Sequence, residues 1–554
     1  MNKMTLAITA TLLASTSALA QDADLIITGN IYTGDAGQPS AESVAVTAGR
    51  ISCVGPAAQC MAAAGAMTQV MDVEGYIYPG FTDAHAHLEG IGDREMTLNL
   101  DQVVTLGQFK ASVRGWIRDN PELDIVTGRG WIETHWPEKR FPSRWDLDEV
   151  APNVPVILSR ADGHASVVNS AALKAAGISS ETEAPFGGEI LKNALGEPTG
   201  ILVDAAIGLI RGLIPPVDDT IRRARITTGS KVMASRGWTG MHNMSVEWKN
   251  ALLMKELSDS GATNLRVHNS ITMEDADKLF AAGPTTSING RIETRAIKMY
   301  MDGALGSRGA ALLEPYSDSP ESTGLTMMKE GESRQIMVQA LREGMQVNTH
   351  AIGDLGNRLV LDWYEKTFDE VPLGDRAVAE PRWRIEHSQI VNPDDIPRFK
   401  SLGVIPSMQP SHAIGDLYFA PDRLGKDRLD GAYAWQTLID SGVIIAGGSD
   451  APVEQGQPMI EFYAAVARKG LDGFSNEDWR ADEAVSRADA IRMFTIWPAI
   501  AAFQENDLGT IEVGKKADMS VFNVDLMTVP DDQILAGKAI MTIIDGTIAW
   551  QAED

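Results

Sequence analysis

Tyr76-Ile-Tyr-Pro-Gly-Phe-Thr-Asp-Ala-His-Ala-His-Leu-Glu-Gly90 is the stretch whose reading decides the fold of this chain. Residues 76–81 read as a short buried strand running into a polar edge that carries His85 and His87. In an extended chain, residues two apart point to the same face. A His-x-His at a strand end therefore offers two imidazoles side by side, as a divalent cation requires of neutral nitrogen ligands. The same spacing also occurs among ordinary polar residues. What turns the reading toward a metal is that further ligand-type residues follow in order, each associated with an apolar run.

Outward from this stretch, apolar runs alternate with helical-looking segments, the pattern of a parallel sheet with crossover helices. An interruption at roughly residues 95–225, rich in Trp, Pro and Gly, reads as an insertion capping a barrel mouth. Strands are then expected at 238–244, 265–271, 294–301, 345–350, 382–386, 404–408 and 443–446. With the first strand these make eight, and the fold class is α/β, a (β/α)8 TIM barrel. His350, His387 and Asp450 fall at or just after strand C-terminal ends, where such barrels build their sites. Lys298 sits within its strand, near enough to reach the same mouth.

Both ends of the chain are strand-rich. Residues 21–75 and 505–554 suggest one β-sandwich assembled from the two termini around a barrel at 76–504. Cys53 and Cys60 are the only cysteines. They form either a local disulfide or two buried thiols, and they are not a zinc site. Met1 to Ala20, apolar and ending in small residues, reads as a secretory signal peptide cleaved before Gln21, with an uncleaved anchor as the alternative. The expectation is an exported protein, secreted or periplasmic. The 554 residues are 44% hydrophobic, and 75 acidic against 48 basic residues leave a formal charge of −27. That balance speaks for solubility and against binding nucleic acid or an anionic membrane.

Gly80-Phe-Thr-Asp-Ala-His-Ala-His87, Lys298, His350, Glu386-His387 and Gly448-Ser-Asp450 together resemble the metal-ligand series of the amidohydrolase superfamily. The similarity is closer to its YtcJ-like branch, which includes N-substituted formamide deformylases. It is carried by Gly163-His-Ala-Ser-Val-Val-Asn-Ser170, Asp302-Gly-Ala-Leu-Gly-Ser307, Thr349-His-Ala-Ile-Gly-Asp354, Met408-Gln-Pro-Ser-His412 and Gly509-Thr-Ile-Glu-Val-Gly-Lys-Lys-Ala-Asp518. The resemblance implies that His85 and His87 hold one metal, with Asp450 in contact, and that His350 and His387 hold a second. It also implies that Lys298 is carboxylated on its amine and bridges the two. An ammonium cannot ligate a cation, but a carbamate made from the neutral amine and CO2 can.

The expected chemistry is hydrolysis of a small-molecule amide, formamide or N-acyl C–N bond, with zinc lowering the pKa of water and polarising the carbonyl. Manganese or iron also suits these ligands. Asp450 is the expected catalytic proton shuttle. Gln409 and His412 are candidate substrate contacts. His164 either contacts substrate or caps a helix. Asp83 and Glu386 are expected to orient the ligand histidines. Asp302, Arg308 and Asp354 read as surface or loop-fixing salt-bridge residues, with substrate contact as the alternative, and His135, His242 and His268 as polar core or surface. Ester, lactone or cyclic imide hydrolysis at the same centre stays open, as does a non-catalytic binding protein with a vestigial metal site. A homodimer is also left open.

Overall fold

Apolar side chains on both faces make the central runs strands that need cover on both sides. In Trp238–Val246 and in Gln346–Ala351 all but one residue is buried. Helices Trp248–Asp259, Glu330–Glu343 and Asp354–Glu370 connect successive strands and supply that cover. The computed structural model describes residues 22–553, apart from 102, 134, 135, 162, 164, 186, 187 and 478. Residues 1–20, read above as a signal peptide, and His135 and His164 lie outside the described residues.

Among the described residues, eight parallel strands run in chain order: Phe81–Ala86, Trp238–Val246, Arg266–Thr272, Ile292–Tyr300, Gln346–Ala351, Arg384–His387, Ile405–Met408 and Ala446–Gly447. They are barrel strands 1 to 8 below. Register aligns Tyr300 with His350, and Ala351 with His387. Among the described residues the first and eighth strands do not form a ladder; side chains and two backbone bonds close that seam, one of them from His87 N–H to the Ala451 carbonyl at 2.8 Å. Asp83 accepts the Ser449 N–H at 2.9 Å and its hydroxyl at 2.6 Å, while Asp450 N–H donates to the His85 carbonyl at 2.6 Å.

Two expected strands move in substance: the one at 443–446 is reduced to Ala446–Gly447, and the one at 76–81 is divided between two sheets. Tyr76 to Pro79 end a longer strand, Ala64–Pro79, that pairs with Met519–Phe522 in a different sheet. Barrel strand 1 begins only at Phe81, so His85 lies inside it and His87 just beyond. Gly80 makes the crossing. Its N–H bonds to the Asp518 carbonyl at 2.9 Å, and a Cβ there would meet Thr239 Oγ1 at 2.3 Å and Asp518 Cβ at 2.9 Å. Gly80→Ala should therefore lower stability by about 1–3 kcal/mol through overpacking. An unchanged denaturant midpoint would show that the junction yields.

The termini share one seven-stranded sheet, in the order Thr547–Gln551, Ala539–Ile544, Met519–Phe522, Ala64–Pro79, Ala23–Tyr32, Ser40–Thr47, Arg50–Gly55. Leu25, Ile27 and Val46 from one end share its core with Val521 and Ile543 from the other. Cys53 and Cys60 are joined by a disulfide. Arg266 of barrel strand 3 ties this sheet to the barrel through ion pairs with Asp518 and Asp545.

The insertion carries its own six-stranded sheet between Leu98 and Asp204. Phe109, Trp131 and Trp136 fill its core with Trp116 packed against them, whereas Trp145 is exposed.

Candidate metal centre

Strand alternation and the barrel register bring distant side chains to one end of the barrel. His85 Nε2 stands 3.3 Å from Lys298 Nζ and 3.6 Å from Asp450 Oδ1. His87 Nε2 stands 3.1 Å from that same carboxylate oxygen. The His387 ring lies 4.7 Å from the His85 ring and 4.5 Å from the His350 ring, centroid to centroid. Ligand atoms of His85, His87 and Asp450 lie within 4.8 Å of one another, as do those of His387, His412 and Asp450. Lys298 is buried, and its Nζ sits 5.0 Å from the centre of the Tyr300 ring.

The protonation states suit cation binding. Burial, followed by the charge of Lys298, holds His85 well below its ordinary pKa and takes His350 down to about 3. Burial and the two neighbouring imidazoles do the same for His387. Burial alone would raise the Asp450 carboxyl, but His85, His87 and His387 outweigh it and keep Asp450 ionised. Neutral imidazoles beside an ionised carboxylate are a donor set for a divalent cation. His350 Nε2 is buried without a hydrogen-bond partner, an orphan that a cation would satisfy.

The supporting residues fix ring orientation. Glu386 Oε2 accepts from His85 Nδ1 at 2.5 Å, and the Met244 carbonyl faces His87 Nδ1 at 3.1 Å. Gln409 Oε1 lies 2.8 Å from His387 Nδ1, while its Nε2 donates to the Ser407 carbonyl at 3.2 Å. Gln409, expected to touch substrate, thus has both ends of its amide engaged by the protein. Asp83 holds the backbone N–H of His85 and the Ser449 seam rather than an imidazole. Its geometry departs from the expected ring-orienting role because it points across the open seam of the sheet. Burial lifts its carboxyl to about 7. His387 and Asp450 both adopt left-handed backbone, with φ of 75° and 59°. Such strain costs about 1–3 kcal/mol per residue and collects at functional sites.

Asp302 accepts N–H bonds from Ala311, Ile352 and Gly353, each at 2.9 Å, and Asp354 accepts from Leu313 at 2.9 Å. Arg308 pairs with Asp318, so all three residues fix loops. His242 is buried, its Nδ1 facing Arg384 Nη1 at 2.7 Å, and His268 faces Glu293 at 3.4 Å.

Sequence reading assigned no role to Arg384, Gln389, Tyr300 or Glu454. Arg384 is wholly buried and pairs with Glu386, and Gln389 Nε2 donates to His412 Nδ1 at 3.0 Å. Tyr300 stacks obliquely on His350, with ring centres 5.5 Å apart. A signal existed for two of them. Arg384 precedes Glu386 by two residues on a strand, and Tyr300 follows Lys298 by two on a strand, the period that shares a strand face.

Beyond His412 the wall turns acidic. Glu454 Oε1 lies 4.0 Å from His412 Nε2, and burial with Asp416 and Asp450 nearby raises the Glu454 carboxyl to about 8. Burial likewise lifts Asp416 to about 7, although the Tyr433 hydroxyl donates to it at 2.7 Å. The folded protein therefore holds this proton more tightly than the unfolded chain, where the carboxyl ionises at 3.8. The associated stability is complete below about pH 3.8 and drains away as pH rises to about 7. Asp416→Asn should flatten this part of the pH profile of the denaturant midpoint. A variant profile as steep as the parent's would remove Asp416 as the cause.

Residues 69–549 match the sequence model of the amidohydrolase family. YtcJ of Bacillus subtilis is 33% identical over 87% of this chain and 91% of its own length. An N-substituted formamide deformylase of Arthrobacter pascens is 28% identical over 95% of this chain and 98% of its own. A metal-dependent hydrolase of Pyrococcus horikoshii shares the fold, with a TM-score of 0.75 at 24% identity over 92% of this chain and 99% of that one. The match along most of the sequence, on a barrel whose mouth gathers histidines and an aspartate, means that the chain belongs to the amidohydrolase family, in its YtcJ-like branch.

Proposed function

We propose that this metal-dependent hydrolase cleaves a carbon–nitrogen bond in a small molecule, a formamide or other N-acyl compound, outside the cytoplasm. The observation that carries the reading is the set of three imidazoles, His85, His87 and His387, each with Nδ1 on an acceptor and a ring nitrogen close to the Asp450 carboxylate. Likeness to the formamide deformylase along nearly the whole chain favours the C–N bond. The leader-like residues 1–20 and the Cys53–Cys60 disulfide favour export to an oxidising compartment. No helix of the described residues is long and apolar enough to cross a membrane.

His85, His87 and Asp450 would hold one cation, and His350 and His387 a second, with Lys298, as its carbamate, between them. Zinc fits these nitrogen and oxygen donors, and manganese or iron can replace it. A bound cation supplies Lewis acidity toward the carbonyl and lowers the pKa of water. Asp450 takes the proton from the attacking water and returns it to the leaving nitrogen. Glu386 keeps His85 in the Nδ1–H form, and Gln409 does the same for His387.

The test is turnover of formamides, N-acyl amino acids, peptides and lactones by the purified protein, before and after chelation and zinc return. The expected result is hydrolysis of a formamide or N-acyl member that chelation abolishes and zinc restores. Turnover that survives complete metal removal, or turnover of lactones alone, would overturn the reading.

A further inference from the structure

One imidazole at the mouth is wired oppositely to three of its neighbours. His85, His87 and His387 each place Nδ1 against an oxygen: Glu386 Oε2, the Met244 carbonyl and Gln409 Oε1. An oxygen that can only accept requires Nδ1–H, which leaves Nε2 as a lone pair for a cation. His412 instead meets the Gln389 amide nitrogen at Nδ1, 3.0 Å away. An amide NH2 can only donate, so His412 Nδ1 is the lone pair and Nε2 carries the hydrogen.

That N–H has no partner among the described residues. His412 Nε2 is buried without a hydrogen-bond partner, and its side chain is 10% exposed. Asp450 Oδ2 at 3.6 Å and Glu454 Oε1 at 4.0 Å both lie outside hydrogen-bond range. The His412 ring runs nearly parallel to that of His387, with centres 5.9 Å apart, and a ring nitrogen of each lies within 4.8 Å of the other and of an Asp450 oxygen.

We propose that His412 is not a metal ligand but a catalytic hydrogen-bond donor, set in its Nε2–H form by Gln389 and aimed at the substrate oxygen that gains charge when the carbonyl is attacked. The proposal rests on the hydrolase reading for the identity of its acceptor. In the scissile group the carbonyl oxygen is the strong acceptor, and its acceptor strength rises in the transition state, which is when a preorganised donor acts. Gln389 is a positioning residue that acts through His412. Although His412 falls within ligand distance of His387 and Asp450, its outward nitrogen carries a proton and lacks the lone pair a cation needs.

The test uses the full chain loaded with zinc, in four forms: parent, His412→Ala, His412→Gln and Gln389→Glu. Metal content should be the same in all four. The nitrogen-15 shifts of the His412 ring should report Nε2–H in the parent and Nδ1–H in Gln389→Glu, because a carboxylate accepts where the amide donated. On a substrate that the parent hydrolyses, kcat should fall about 10²-fold in His412→Ala and in Gln389→Glu, with KM changed far less. His412→Gln retains an N–H donor and should recover part of the loss. Metal lost from folded His412→Ala, Nδ1–H in the parent, or full kcat in Gln389→Glu would each overturn the proposal. If no panel member is turned over, the hydrolase reading fails separately, and the metal and nitrogen-15 results still decide whether His412 is a ligand or a donor.

Discussion

Asp450→Asn should lower kcat on the order of 10²–10⁴-fold, the range removed with a positioned acid–base group, while leaving the fold intact. The backbone of Asp450 contributes to the barrel seam through its N–H on the His85 carbonyl, and asparagine keeps that bond. What is lost is the ionised carboxylate, 3.1 Å from His87 Nε2 and 3.6 Å from both His85 Nε2 and His412 Nε2. An amide cannot accept and return a proton, although its oxygen can still face a cation. The signature is therefore a large loss in kcat, a smaller change in KM and metal content that falls less than activity. If Asp450→Asn keeps more than about a tenth of parental kcat, well short of the loss expected for general acid–base catalysis, another group moves the proton.

Arg384→Met should cost about 3–5 kcal/mol of stability, the range found when one partner of a buried ion pair is removed. Arg384 and Glu386 are both fully buried and pair at 2.8 Å. The guanidinium also reaches the Ala84 carbonyl and the Ser407 hydroxyl at 2.6 Å each, and His242 Nδ1 at 2.7 Å. It thus joins barrel strands 1, 2, 6 and 7 from inside. Methionine fills part of the volume and leaves the Glu386 carboxylate buried with only His85 beside it. Urea denaturation reads the loss. The double variant Arg384→Met with Glu386→Leu should be less destabilised than the sum of the singles, because it removes the stranded charge. A single-variant cost under about 1 kcal/mol would mean that the barrel interior solvates Glu386 by another route. Activity should fall as well, since Glu386 holds His85 in its ligand orientation.

The chemistry-bearing residues were legible because ligand chemistry restricts residue type and because strand ends announce themselves as apolar runs breaking into polar ones. His350 at the end of 347–350, and His387 after Glu386, needed only local pattern to be placed on one rim. The boundary at 76–81 was not legible. Tyr76 to Phe81 is uniformly apolar apart from Pro79 and Gly80, and nothing in those six side chains says that the chain changes sheets at Gly80. That is decided by Met519–Phe522, more than four hundred residues away, which takes Tyr76 to Pro79 as its partner.

By itself the sequence determined the strand order of the barrel, the presence of an insertion after its first strand, and the inventory of groups able to hold a cation. Each of these follows from side-chain polarity at short range. Only the tertiary structure decided which way the imidazoles are wired. Whether His387 meets an amide oxygen and His412 an amide nitrogen depends on two glutamines that look alike in the chain, Gln409 and Gln389. A glutamine carries a donor and an acceptor at equal distance from its backbone, so packing alone chooses which end faces the ring.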